Sequence, residues 1–169
     1  MHKMQKLGLM LKSTKEKQSV ININEVWYAW DILVAKYDAI SISNIVVSHI
    51  EDADLKLVSG SMVNLYKDII KLMEGLLTEF GIPMPERPRE MVKSTVNVEI
   101  LNDKYIFNVM FEIVQSVIPV AASSFTKSTA PYVRSKFKTI LLKNVELFEE
   151  LVEYGKLKNY LDKPPVYRP

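Results

Sequence analysis

The sequence predicts an all-α protein: a four-helix bundle whose helices run up, down, down, up, preceded by an N-terminal extension. Three observations lead there. Of the 169 residues, 48% are apolar and 25% charged, a globular composition long enough to bury a core as one domain, 1–169. Glycine is scarce, five in the chain, and the prolines gather in GIPMPERPRE (81–90) and DKPPVYRP (162–169), which read as a loop and a tail. Between these breakers, apolar residues recur at helical spacing.

Residues 1–22 form the extension, where Lys3, Lys6, Lys12, Lys15 and Lys17 face one acid, Glu16, and read as a solvated tail or helix face. Met4, Leu7 and Leu11 add a small apolar stripe that a partner could use. Asn24 caps a first helix that runs to about Ile50. Asp54 caps a second, ending at Gly81. A third starts at Asn102 or Asp103, with Pro119 expected to bend it. The fourth runs from about Ala130 to Tyr160, with Pro131 in its first turn, where its missing N–H costs nothing. The bundle so defined spans 23–161. Short links join helices one and two, and three and four, but roughly 20 residues (81–101) join the second to the third, long enough to run the length of the bundle. That is the ferritin-like topology; a simple up-down-up-down bundle with a long loop is the rival.

Helical wheels assign the faces. The second helix gathers Leu55, Met62, Leu65, Tyr66, Ile69, Met73, Leu76 and Phe80 on one stripe. The third turns Phe107, Met110, Val114 and Ala121 inward and Glu112 outward. The fourth buries Val133, Phe137, Ile140, Leu147 and Leu151, with Asn144 in the middle of the stripe. On the first helix, Trp27, Trp30, Val34, Tyr37 and Ile45 read as the core side, and Glu25, Lys36 and Ser43 as the wettest side. Asp31, Asp38 and His49 then project together near the core. Ile32 and Val47 read as exposed apolar residues, which suggests a homodimer.

Catalytic and metal sites are hard to build from these residues. With no cysteine, disulfides, thiolate zinc sites and cysteine nucleophiles are excluded, which suits a cytoplasmic setting. A di-iron site needs Glu-x-x-His motifs, and the residue three before His49 is Val46. No cofactor is expected. No phosphate-binding glycine loop or nucleophile elbow occurs. The acids of IVVSHIEDADLK (45–56) read as a helix corner, with His49 bonded to a corner carboxylate. A net charge of +2 argues against nucleic acid, and no run of about 20 apolar residues argues for membrane insertion. The one internal polar candidate is a mid-bundle layer joining Asp38 to Asn144, with Asp31 and Tyr37 nearby and Tyr28 and Tyr66 as further hydroxyl partners. It reads either as a register-fixing hydrogen-bonded layer or as a pocket for a small ligand or metal.

Four stretches, INEVWYAWD, HIEDADLK, EFGIPMPERP and YLDKPPVYRP, resemble an uncharacterised ferritin-like family of Bacillus-type spore formers whose members carry a spore-coat label, similar to the coat-F group. The resemblance covers residues from about Ile23 to the end. It implies a ferritin-like bundle, a spore-coat association, and self-association or other spore proteins as partners. No activity and no metal ligands come with it, so it implies a non-enzymatic structural or interaction protein.

Overall fold

A computed structural model of the chain describes residue 8 and residues 12–88 and 101–162. Met4, Leu7, Leu11 and the tail beyond 162 lie outside the described residues. Those described form five α-helices and a single 3₁₀ turn at Val47–His49, with no strand among them: α1 Thr14–Gln18, α2 Ile23–Val46, α3 Ala53–Glu79, α4 Asp103–Lys127 and α5 Pro131–Lys158.

Each helix begins on a sequence signal. Ser13 and Glu16 form a capping box on α1, and Asn22 and Glu25 form one on α2. The cap of α2 is thus Asn22, two residues before the expected Asn24, because only position 22 has a glutamate three residues on. Asp52, not Asp54, caps α3 by accepting from the Leu55 N–H at 2.9 Å, while Asp54 sits in the first turn. Asn102 caps α4, and Pro131 takes the first position of α5. Pro119 lies within a continuous α4. Gly81 ends α3 with φ 62°; its N–H reaches Thr78 O, and the Ile82 N–H reaches Leu77 O at 2.9 Å, an arrangement that needs a left-handed residue at Gly81.

Polar contacts fix which helix ends meet. The Tyr28 hydroxyl lies 2.9 Å from Ser123 Oγ, placing the start of α2 beside the end of α4. Tyr132 donates to Glu79 at 2.7 Å, Lys143 pairs with Asp68 at 2.7 Å, and Lys158 pairs with Asp52 at 2.6 Å, so α5 lies along α3 from end to end. The backbone N–H groups of Glu51 and Asp52 donate to the two oxygens of Asp103, both at 2.9 Å, which places the start of α3 beside the start of α4. After Gly81 the chain turns back, since Arg87 pairs with Glu74 and its guanidinium lies 5.7 Å from the Tyr37 ring. The extension is anchored as well: Gln18 donates to Phe80 O at 2.9 Å.

The Asp103 clamp carries a measurable consequence. Because Asn102 keeps the cap, Asp103→Ala removes only the two bonds to the α2–α3 corner, an expected loss of about 2 kcal/mol in unfolding free energy. Urea denaturation checks it; a loss within about 0.5 kcal/mol would mean that water replaces the carboxylate at no cost.

The core joins all four long helices. Leu33, Leu55, Ile69, Met73, Phe107, Phe137, Ile140 and Leu151 are fully enclosed. Between α4, α5 and the residues just after α5 the rings of Phe107, Phe111, Phe148, Tyr154 and Tyr160 interlock at centroid distances of 5.2–6.1 Å between partners. Gly155 makes room for them: a Cβ there would stand 2.5 Å from the tip of Phe107. The inward faces expected for α3, α4 and α5 agree with these positions.

On α2 the expected faces are reversed. Trp27 is 60% exposed and Trp30 37%, while Glu25, Lys36 and Ser43 are buried and Ile32 is buried rather than exposed. The inward side consists of Ala29, Ile32, Leu33 and Tyr37, the last of them as expected, with the polar residues between them. The outward side carries Ile23, Trp27, Trp30 and Val34. Both sides are apolar, so helical periodicity alone leaves the orientation open, and the bulk of the tryptophans points to the wrong choice. α4 has a related character: it is long and apolar enough to cross a membrane by length and composition, and only 28% of its most apolar 18-residue stretch is buried. Its inward residues pack in the shared core, and Val120 and Tyr105 stand outside.

Candidate functional site

The reversal of α2 rearranges the expected polar layer. Asp38 is exposed and Asp31 half-buried, both on the outward side, and neither joins Asn144. Tyr37 is buried, but its hydroxyl donates to Glu74 at 2.6 Å, in a network completed by Arg87 at the α2–α3 surface. Burial alone would raise the Glu74 pKa, but the hydrogen bonds from Arg87 and Tyr37 outweigh it and hold the carboxyl below its ordinary range. Tyr37 therefore serves the surface. Of the four candidates only Asn144 lies in the centre, fully buried, its amide donating to Ile140 O at 2.8 Å and its carbonyl oxygen without a partner.

The α2 residue at this level is Lys36. It is 2% exposed, and its ammonium sits 4.0 Å from the centroid of the Tyr66 ring. Among the described residues no carboxylate pairs with it. Burial lowers the Lys36 pKa to about 8, and burial pushes the Tyr66 phenol up to about 12. Tyr66 is 1% exposed, and its hydroxyl has no hydrogen-bond partner. The Lys143–Asp68 pair sets α5 against α3 at this height, so Asn144 lies level with Tyr66. The centre thus holds an ammonium, a phenol and a carboxamide, each at the midpoint of its helix, where the sequence suggested a carboxylate and a carboxamide.

Next to Tyr66, toward the 3₁₀ turn, α2, α3 and α4 part slightly around a cavity of about 20 Å³ that is partly open to the surface. Its walls are mainly aliphatic and methionine side chains, together with Ser43, Ser59 and Tyr66. The Ser43 hydroxyl donates to Ala39 O at 2.7 Å, whereas Ser59 Oγ is enclosed without a partner. No wheel drawn with Lys36 outside could find this region; the signal lay in Ser59 and Tyr66, polar groups on an otherwise apolar stripe of α3.

Neither end of the bundle assembles a metal site from these residues. Among the described residues no group of three His, Cys, Asp or Glu side chains lies together. In the centre the Lys36 ammonium would repel a dication. His49 is half-buried, and its Nδ1 lies 3.0 Å from Ile45 O and 3.2 Å from Ser48 Oγ, so the expected bond to a corner carboxylate is replaced by one to its own helix. The corner acids are used otherwise. Asp52 accepts from Lys158 and from the Leu55 N–H, which together lower its pKa.

The fold has a counterpart among solved structures. It matches the crystal structure of "a putative spore coat protein" from Bacillus halodurans C-125 with a TM-score of 0.82 at 20% identity, covering 88% of this chain and 96% of the other. At that identity the likeness establishes a shared fold. No curated protein matches the chain. A family model described as "Protein of unknown function (DUF3231)" matches residues 10–169, and the chain belongs to that family.

Proposed function

We propose that this protein is a non-enzymatic assembly protein of the spore coat, a single ferritin-like domain that works through its surface. The end-to-end contacts support the up, down, down, up order: α2 meets α4 and α3 meets α5 head to tail, while α3 and α4 start together. The spore-coat name of the structural counterpart and the resemblance in the sequence support the setting.

The observation that carries the reading is the outward side of α2. Ile23, Trp27, Trp30 and Val34 follow one another at spacings of four, three and four, the seam on which one helix packs against another. Ile23 and Trp27 are 78% and 60% exposed. Large aromatic side chains with few charges among them are the mark of an interface core. A self-complementary stripe closes into a dimer about a two-fold axis with no second surface required, so the partner is another copy of this chain.

Sedimentation tests this. The wild-type protein is expected to dimerise at micromolar concentration, and the double variant Trp27→Ala/Trp30→Ala to weaken association at least about 100-fold while keeping its helical content. A monomeric wild-type protein, or a variant that dimerises equally well, overturns the interface. A tagged copy absent from the spore surface overturns the setting.

A further inference from the structure

We propose that the cavity between α2, α3 and α4 is a binding site for a linear aliphatic carboxylate, its head group held by Tyr66 and Ser59 beside the Lys36 ammonium and its chain leaving along the α2–α4 seam. Tyr66 and Ser59 line the cavity, are at least 99% buried, and carry hydroxyls without partners. Both can donate, and a carboxylate can accept two such bonds at once. Lys36, on the ring of Tyr66, supplies the charge that makes an anion the fitting occupant: a buried ammonium with no carboxylate among the described residues is costly until an anion joins it.

The shape selects the class further. About 20 Å³ holds one group little larger than a water and no ring, so a head group enters only as the flexible Met62 and Met110 side chains yield. The cavity is partly open, with Ile42, 49% exposed, among its lining residues, and Val46, Val47 and Ile113 continue the apolar wall. Met62 and Met110, unbranched and adaptable, line the space where an alkyl chain must pass. An unbranched alkyl chain asks the least opening of these walls, and a polar one would leave their apolar surface unmatched. Lys36 contributes little else to the fold: its ammonium makes no hydrogen bond among the described residues, and its burial carries a desolvation cost.

Calorimetry on the full chain at pH 7 tests the site with octanoate, 1-octanol and octylammonium, which share a chain and differ in charge. Octanoate is expected to bind one to one, at least about tenfold more tightly than octanol, with octylammonium weakest. Lys36→Met should abolish the preference of octanoate over octanol, and Tyr66→Phe and Ser59→Ala should each reduce it. Trp27→Ala/Trp30→Ala should leave it unchanged, which separates this cavity from the outer stripe. If Lys36→Met does not fold, the octanoate-to-octanol ratio in Tyr66→Phe decides. No binding, equal binding of octanoate and octanol, or an undiminished preference in the variants overturns the proposal.

Discussion

Lys36→Met is expected to raise the unfolding free energy at pH 7 by about 2 kcal/mol, an unusual sign for a fully buried position. The reason lies in the proton. Burial holds the Lys36 pKa near 8 against 10.5 in the open chain, equivalent to roughly 3 kcal/mol spent at neutral pH to keep an ammonium in the core. The Tyr66 ring returns part of this, about 1 kcal/mol for a cation on a desolvated aromatic face. Methionine is close in length, fills the same space and carries no charge.

The pH dependence separates this cause from simple repacking. Between pH 8 and 10.5 the unfolded chain keeps the Lys36 proton and the folded protein has lost it, so the unfolded state binds more protons and stability rises with pH across that window. Tyr66 acts in the opposite sense at higher pH: its phenol ionises near 10 when unfolded and near 12 when folded, so stability falls as pH climbs from 10 toward 12. Urea titrations of the wild-type protein should show stability growing from pH 7 to about 10, whereas Lys36→Met should lack that rise. A variant less stable than wild type at pH 7, with the same rise, would show the ammonium to be partnered in the core after all.

How much of this was legible in the sequence depends on how one-sided each helix is. On α3 and α5 the apolar residues occupy one stripe and the charges the other, so burial of Tyr66, Ile69, Phe137 and Leu147 follows from spacing alone. Local chemistry marked Gly81, Asn102 and Pro131, whose roles depend only on neighbours in the chain. Asn144 was legible because a carboxamide amid apolar neighbours has nowhere to go but inward. On α2 two apolar stripes compete, and the choice is made by partners remote in sequence. Glu25 is drawn inward by the backbone at the start of α5, and Lys36 then follows it, since their spacing of 11 residues is close to three turns. Asp38 and the tryptophans are carried outward by the same rotation. The layer was therefore expected at the right height, with the wrong α2 residue.

Glu25→Ala is expected to cost about 3 to 4 kcal/mol, the largest loss among these variants, although Glu25 and Lys36 are buried polar residues of one helix. The difference is in their partners. One Glu25 oxygen accepts from the Ala130 N–H and the other from the Asn22 N–H, both at 2.8 Å. Ala130 caps α5 without a side-chain acceptor of its own, so a carboxylate from α2 supplies negative charge at the positive end of α5. Asn22 in turn accepts from the Glu25 N–H at 2.9 Å and donates to Thr129 at 2.9 Å, so the start of α2 and the α4–α5 link are held by one set of bonds. Alanine leaves the Asn22 and Ala130 N–H groups without their acceptor, while the Asn22 side chain keeps its bonds to the residue-25 N–H and Thr129. Thermal unfolding should fall by roughly 10 °C for a chain of this size. Glu25→Gln, which keeps one good acceptor and turns an amide toward the other N–H, should lose about half as much. If glutamine costs as much as alanine, the negative charge and the second acceptor carry the effect; if it costs nothing, one hydrogen bond suffices and neither the charge nor the second acceptor contributes. In either case a paired buried charge and an unpaired one on the same helix should move stability in opposite directions.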